Sequence, residues 1–327
     1  MRARPPLPST VESDMLAAID LAMAFVSAEA CPVPRRAGPA QAESPVGMIE
    51  RLSDRLYAEW YAAVRAPKPL QLGDGAPPLL GMLRAAHAGS LRWESGWRAV
   101  QVSSAGRVVA SKGTEQRLLG LADYVCDERP GLPPRPGAMI SVTGRRESSR
   151  VVPGFWVTHT EAWQPQSGPF VRLYWNVQPA GAAALVREIT QRLDSQLPYA
   201  LKVPADPALF ARTDAGVLYL ADRASPAVLP QVGGIHRAIG DVLGDEVPKL
   251  CKRLAPGLGL AEDSGGALES FGTSRCRLIA EAIIATPTRG TATRAQLLRA
   301  ICRRFADAGI PPEKPHLRGR GDRGYAI

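Results

Sequence analysis

Seven consecutive residues, Phe170-Val-Arg-Leu-Tyr-Trp-Asn176, place the tightest constraint on the fold of this chain. In an extended segment Val171, Leu173, Trp175 and Val177 share one face, and Arg172, Tyr174 and Asn176 share the other. A strand with one face this apolar needs a second layer over it. The same period of two predicts strands at 138–143, 155–163, 199–203 and 216–221, and a hairpin over Trp97–Ala110 turning at Ser104-Ala-Gly106. Helical periods flank these strands. Ser9-Thr-Val-Glu12 has capping-box spacing, with Val11, Met15, Ile19, Met23 and Val26 following at helical intervals. Ser44-Pro45 opens a second helix with the stripe Ile49, Leu52, Leu56, Trp60 and Val64, widened by Tyr57 and Tyr61. Further helices are predicted at 180–196, 227–243, 273–285 and 293–308. Strands with helices interspersed, and no regular βαβ repeat, imply an α+β fold. Its expected form is a mixed, mainly antiparallel sheet with packed helices and an N-terminal helical subdomain.

The 327 residues are enough for one large domain or two small ones. Three regions are expected: an N-terminal helix and Pro/Gly/Ala linker (1–44), an α+β domain (45–285), and a C-terminal helix with a flexible basic tail (286–327). The excess positive charge concentrates in that last region, and the segment His316–Tyr325 reads either as a solvated terminus or as a means of capturing an acidic partner. The nearly neutral body carries no module for reading nucleic acid. No apolar run reaches the length of a membrane helix. The first apolar stretch contains Asp14 and Asp20, unlike a secretory signal. The five Cys, at 31, 126, 251, 276 and 302, are scattered without a C-x-x-C pair, which fits reduced cytoplasmic thiols rather than a disulfide framework or zinc site. The four His are equally scattered, so neither a metal nor a cofactor is expected.

Of the 40 cations only six are Lys, so a Lys in a telling place is informative. Lys202 lies in Tyr199-Ala-Leu-Lys-Val203, opposite in face to Leu201 and Val203. It is either a general base in a half-buried strand or a solvated Lys on an edge strand. Arg212 and Asp214 precede the strand containing Tyr219. They form either a structural pair or an anion grip whose cation Asp214 orients. Lys249, Lys252 and Arg253 form a basic cluster. Ser270-Phe-Gly-Thr-Ser-Arg275-Cys-Arg277 opens a helix, as an anion site or as a buried turn paired to acids. His159 is a satisfied strand His or an acid catalyst. One Lys, one His and several cations, without a nucleophile motif, suit proton transfer on an anionic substrate. Phosphate elimination fits especially, with a base at Cα and an acid at the leaving oxygen.

The ordered blocks Phe170–Asn176, Tyr199–Val203, Arg212-Thr-Asp-Ala-Gly-Val-Leu-Tyr219, Pro256-Gly-Leu-Gly-Leu-Ala261 and Ser270–Cys276 resemble the HopA-type family of bacterial type III secretion effectors. Leu56-Tyr-Ala-Glu-Trp-Tyr61 is similar to that family's N-terminal part. Members found in gene clusters for class V lanthipeptides and thioviridamide-like peptides look like phosphothreonine lyases. The resemblance therefore implies a metal-independent lyase with a phosphothreonine-lyase-like core. It would eliminate phosphate from a precursor peptide phosphorylated by a separate kinase-like protein. It further implies Lys202 as base, His159 as acid with His236 as the other choice, and Tyr219 in support. Arg212, Lys249, Arg275 and Arg172 would bind phosphate, with Asp214 orienting. Such lyases place a Lys two residues from the acid His, where this chain has Val157 and Glu161. The second implied reading is a non-catalytic HopA-type protein, an effector or a scaffold for precursor and kinase.

Overall fold

The computed structural model describes residues 6–30, 44–64, 78–88, 93–121, 123–126, 128–143, 147–149, 152–160, 163, 169–193, 197–263, 269–286, 292–319 and 324–327. The predicted linker lies outside these residues except for Ser44, and so do Cys31 and Glu161. The chain forms two compact units, one of residues 1–86 and 148–327 and one of residues 87–147, a division that crosses the expected boundaries at 44 and 285. The helices are α1 (Ser9–Ala30), α2 (Pro45–Arg55), α3 (Leu79–Ala86), α4 (Ala182–Arg192), α5 (Ser225–Ile239), α6 (Phe271–Ile284) and α7 (Arg294–Asp307). The smaller unit holds strands β1 (Trp93–Val102), β2 (Val108–Lys112), β3 (Glu115–Leu119), β4 (Tyr124–Val125) and β5 (Met139–Thr143). The larger sheet contains β6 (Glu147–Ser148), β7 (Phe155–His159), β8 (Phe170–Trp175), β9 (Tyr199–Pro204), β10 (Gly216–Ala221), β11 (Lys252–Ala255) and β12 (Leu258–Asp263).

The smaller unit is an antiparallel sheet in the order β3-β2-β1-β5-β4. Its β1–β2 hairpin is the one read from the sequence. Gly106 supplies the turn with φ +72°, a region that disfavours side chains. Trp97, Ala99, Val108, Ala110, Ile140 and Val142 are buried on one face.

In the larger unit the strand order is β11-β12-β8-β10-β9-β7-β6. The four central pairings, β12–β8, β8–β10, β10–β9 and β9–β7, are antiparallel. One face carries Val171, Leu173, Trp175, Leu201, Leu218 and Leu260, covered by α3, α4 and α5. The opposite face carries Tyr174, Val217 and Ala261, covered by α1, α2, α6 and α7. Each large apolar side chain so buried contributes about 1.5–3 kcal/mol. The result is an α+β fold of helix, sheet and helix layers. The N-terminal helices exist as expected, but they share one apolar cluster with α6 and α7.

Local sequence explains most of the helix starts. Ser44 caps α2 by accepting from Gly47 N at 3.2 Å, with Pro45 in the first turn. Thr293 and Gln296 form a reciprocal capping box on α7. The box expected at Ser9 is absent, because Ser9 is already helical and Glu12 N donates to Pro8 O at 2.9 Å. The second helix also departs from expectation. It widens after Arg55 into a π-helical turn, Leu56–Tyr61, which brings both Trp60 and Tyr61 inward.

The C-terminal residues are no free tail. Leu317 and Tyr325 are buried in the cluster that includes Leu258 and Leu260. Tyr325 OH donates to Glu262 Oε1 at 2.6 Å, and Lys252 Nζ donates to the Tyr325 carbonyl at 2.5 Å. The segment His316–Tyr325 suggested a solvated terminus, but Leu317 and Tyr325, near its two ends, are buried. Residues 320–323 lie outside the described set.

The buried titratable groups make alkaline stability a test of this packing. Burial pushes the Cys276 thiol above its usual 9.0 and the Tyr61 and Tyr174 hydroxyls above their usual 10.0. The unfolded chain then releases these protons at lower pH than the folded one. The stabilisation is complete below the unfolded values and is lost as pH climbs past them. The melting temperature is expected to hold to about pH 9 and to fall steadily by about pH 11. A flat profile across that interval would contradict the burial of these groups.

Candidate functional site

Strand β9 lies inside the sheet, between β7 and β10, so Lys202 is not on an edge strand. The register aligns His159, Ala200, Tyr219 and Arg172 in one row across four strands. Val157, Lys202, Val217 and Tyr174 form the next row on the same face. His159 and Tyr219 therefore flank the small side chain of Ala200. Lys202 is the diagonal neighbour of each, at roughly 7–8 Å between backbones. This shared face follows from the alternation in Tyr199–Pro204, whose other face buries Leu201 and Val203.

Lys202 is half-buried, with Nζ 4.5 Å from the ring centre of Phe155. Among the described residues its ammonium has no hydrogen bond or ion pair. Arg212 Cζ lies 5.9 Å from the same ring. Arg212 is held from the other side: Nε and Nη2 donate to Asp214 Oδ1 and Oδ2 at 2.5 and 2.8 Å, and Nη2 also donates to Tyr57 OH at 2.9 Å. Burial opposes the Arg212 charge, but its bonds to Asp214 outweigh burial and raise its pKa above the usual value. His159 Nδ1 lies 3.0 Å from Thr160 O. A carbonyl only accepts, so Nδ1 carries the proton and Nε2 is the nitrogen left for chemistry.

Arg172 stands beside Tyr219, with Cζ 5.1 Å from that ring and 5.3 Å from Phe170. Its Nη2 is 2.6 Å from Asp263 Oδ2. Phe170, Trp163 and Tyr219 pack against one another with ring centres 5.9–6.3 Å apart. Two other expected phosphate ligands are engaged elsewhere. Lys249 pairs with Asp14 at 3.0 Å on a cleft of about 550 Å³ that also includes Tyr61, Thr213 and Cys251. Arg275 is buried, its Nε and Nη2 donating to Pro315 O and Leu317 O at 3.0 Å each. Burial lowers its pKa to about 10. Among the described residues no contact joins Lys249 or Arg275 to Lys202 or Phe155. His236 sits on α5, which covers the opposite sheet face, and its Nε2 bonds Pro256 O at 2.8 Å. The site thus gathers Lys202, His159, Tyr219, Arg172, Arg212 and Asp214, and leaves out Lys249, Arg275 and His236.

The sequence did not single out Tyr57 or Phe155 as site residues. Tyr57 appeared only as the widening of a helical stripe, and nothing local ties it to Arg212. The turn that carries Tyr57 rests on the start of α6, where Gly272 meets the Tyr61 ring. A Cβ at position 272 would collide with Cε1 and Cζ of that ring. Gly272→Ala is expected to cost about 1–3 kcal/mol of stability. Urea unfolding would measure this, and an unchanged midpoint would mean that the ring is not held there. No group of three or more His, Cys, Asp or Glu among the described residues could hold a metal ion. No described helix is long and apolar enough to cross a membrane.

Known proteins resemble the chain in fold more than in sequence. The effector protein from Pseudomonas syringae pv. tomato strain DC3000 superposes with a TM-score of 0.51 at 16% identity, over 94% of this chain and 100% of that one. The effector protein from Pseudomonas syringae pv. syringae strain 61 gives 0.52 at 16% identity, over 94% and 99%. At such identities the likeness is one of fold. No curated protein matches the sequence. The model of the HopA1 effector protein family matches residues 146–317, more than half of the chain and every site residue above except Tyr57. The chain belongs to the HopA1 effector protein family.

Proposed function

We propose that the protein is a metal-independent phosphoserine/phosphothreonine lyase acting on a phosphorylated peptide. The observation that carries this reading is the half-buried Lys202. It has no polar partner among the described residues, shares a sheet face with His159, and rests on the same ring as the fixed Arg212. In the reaction the Lys202 amine takes the Cα proton of the phosphorylated residue. The electron pair of that C–H bond becomes the Cα–Cβ double bond. The Cβ–O bond breaks, and its pair leaves with phosphate. His159 enters the step with both ring nitrogens protonated, gives its Nε2 proton to the departing oxygen and keeps Nδ1–H on Thr160 O. Arg212 grips the phosphate, and Asp214 keeps the guanidinium oriented. Arg172 and Tyr219 close the adjoining end of the row. The products are inorganic phosphate and a peptide with dehydroalanine or dehydrobutyrine.

The substrate must be supplied by a phosphoryl transfer to Ser or Thr, so a separate kinase-like protein is the implied partner. The family resemblance makes a ribosomally made precursor peptide, as in lanthipeptide-like biosynthesis in the cytoplasm, the natural setting. The alternative is a non-catalytic HopA-type binding protein. It is favoured by the engagement of Lys249 with Asp14 and of Arg275 with carbonyls, which leaves a smaller phosphate clamp. Mass spectrometry of a phosphothreonine peptide incubated with the protein separates the two. A peptide lighter by one phosphoric acid supports the lyase, whereas an unchanged peptide, even with the kinase and full precursor present, supports binding only.

A further inference from the structure

We propose that Tyr57 is a positioning residue for Arg212, and that the turn carrying it is a working part of the phosphopeptide site; this rests on the lyase reading above. Tyr57 OH accepts from Arg212 Nη2 at 2.9 Å and donates to Asp214 Oδ2 at 3.3 Å. It thereby closes a three-membered ring of contacts with the bidentate Arg212–Asp214 pair. The phenol ring stacks on Tyr61, with centres 5.3 Å apart and planes at 26°, which fixes where the hydroxyl lies. Burial, together with the Asp214 charge, holds the hydroxyl above its usual range, so it remains a donor.

The same turn also fastens the backbone of the loop. Thr213 N and Oγ1 donate to Ala62 O at 2.9 and 3.1 Å. Two unusual backbone features coincide here. Residues Leu56–Tyr61 form a π-helical turn, and Ala63 has φ +45°. Widened turns and left-handed non-glycine residues persist where the surroundings over-determine them, often at functional sites. Here they bring residue 57 to a pair 155 positions later in the chain.

The consequence is specific. With Nε and Nη2 engaged, Nη1 is the Arg212 nitrogen left without a partner among the described residues. An arginine locked in this way meets an anion in one orientation. Without the Tyr57 hydroxyl it would lose part of that lock and the substrate would bind less well, while the proton-transfer groups would be untouched.

Tyr57→Phe tests this, because it keeps the ring and its stacking and removes both hydrogen bonds. With a phosphothreonine peptide, KM should rise about tenfold or more with kcat within about threefold of wild type. Tyr124→Phe is the comparator. It removes a buried hydroxyl that donates to Gly106 O at 2.9 Å in the smaller unit, and should keep the wild-type KM. An unchanged KM in Tyr57→Phe, or an equal rise in both variants, overturns the positioning role and leaves the lyase standing. A fall in kcat alone overturns it as well. Failure of the wild-type protein to eliminate phosphate removes the lyase reading and this inference together.

Discussion

Lys202→Ala should lower the rate of phosphate elimination by about 10²–10⁴-fold, the range typical of removing a positioned general base. Its effect on the fold should be small. The side chain is half-buried, and its cation–π contact with Phe155 is worth on the order of 0.5–2 kcal/mol. Binding of the phosphopeptide should persist, because Arg212 remains held by Asp214 and Tyr57. Lys202→Arg sharpens the test. It keeps a cation at the position but removes the amine that would act as base. If Lys202 acts as base, both variants are inactive. If it only steadies negative charge, the Arg variant retains much of the activity. A Lys202→Ala protein with the wild-type rate would exclude Lys202 as base.

Removing residues 315–327 should unfold the larger unit. The guanidinium of Arg275 is buried, and two of the carbonyls it donates to, at Pro315 and Leu317, belong to this segment. Stripping the partners from a buried charge costs about 3–5 kcal/mol. Leu317 and Tyr325 would also leave the apolar cluster, at about 1.5–3 kcal/mol for each large side chain. Glu262 would lose the Tyr325 hydroxyl at 2.6 Å and the Arg318 amide at 3.1 Å. Together these losses approach the whole stability of a typical domain, roughly 5–15 kcal/mol. Ala326 and Ile327 are exposed, so their deletion should leave thermal unfolding nearly unchanged. Soluble truncated protein lacking residues 315–327, with a wild-type melting temperature, would show that the segment does not anchor the core.

The alternation at Phe170–Asn176 and Tyr199–Val203 made the sheet legible before its topology. It placed Arg172 and Lys202 away from the apolar face, and both lie there. The order of the strands was not legible. Whether β9 lay at an edge or inside depends on pairing between distant segments, which periodicity does not encode. The Arg212–Asp214 pair could be seen at a spacing of two, yet its third member, Tyr57, comes from a helix far upstream. Arg275 drew attention as a cation in the first turn of a helix. Its partners are backbone carbonyls, which have no sequence signature. The C-terminal segment reads as a flexible tail for a related reason: charge dominates its composition, while the buried Leu317 and Tyr325 and the backbone groups that bond to Arg275, Lys252 and Glu262 have no sequence signature.

The phosphopeptide reaction run in heavy-oxygen water bears on the proposed chemistry most sharply, because it separates elimination from hydrolysis in one spectrum. Elimination breaks the Cβ–O bond, so the released phosphate keeps all its original oxygens and the peptide loses a whole phosphoric acid. The lyase account predicts unlabelled phosphate and a dehydrated peptide with the wild-type protein, and neither with Lys202→Ala. Labelled phosphate with a restored threonine peptide, or phosphopeptide left intact in the presence of its kinase, would contradict it.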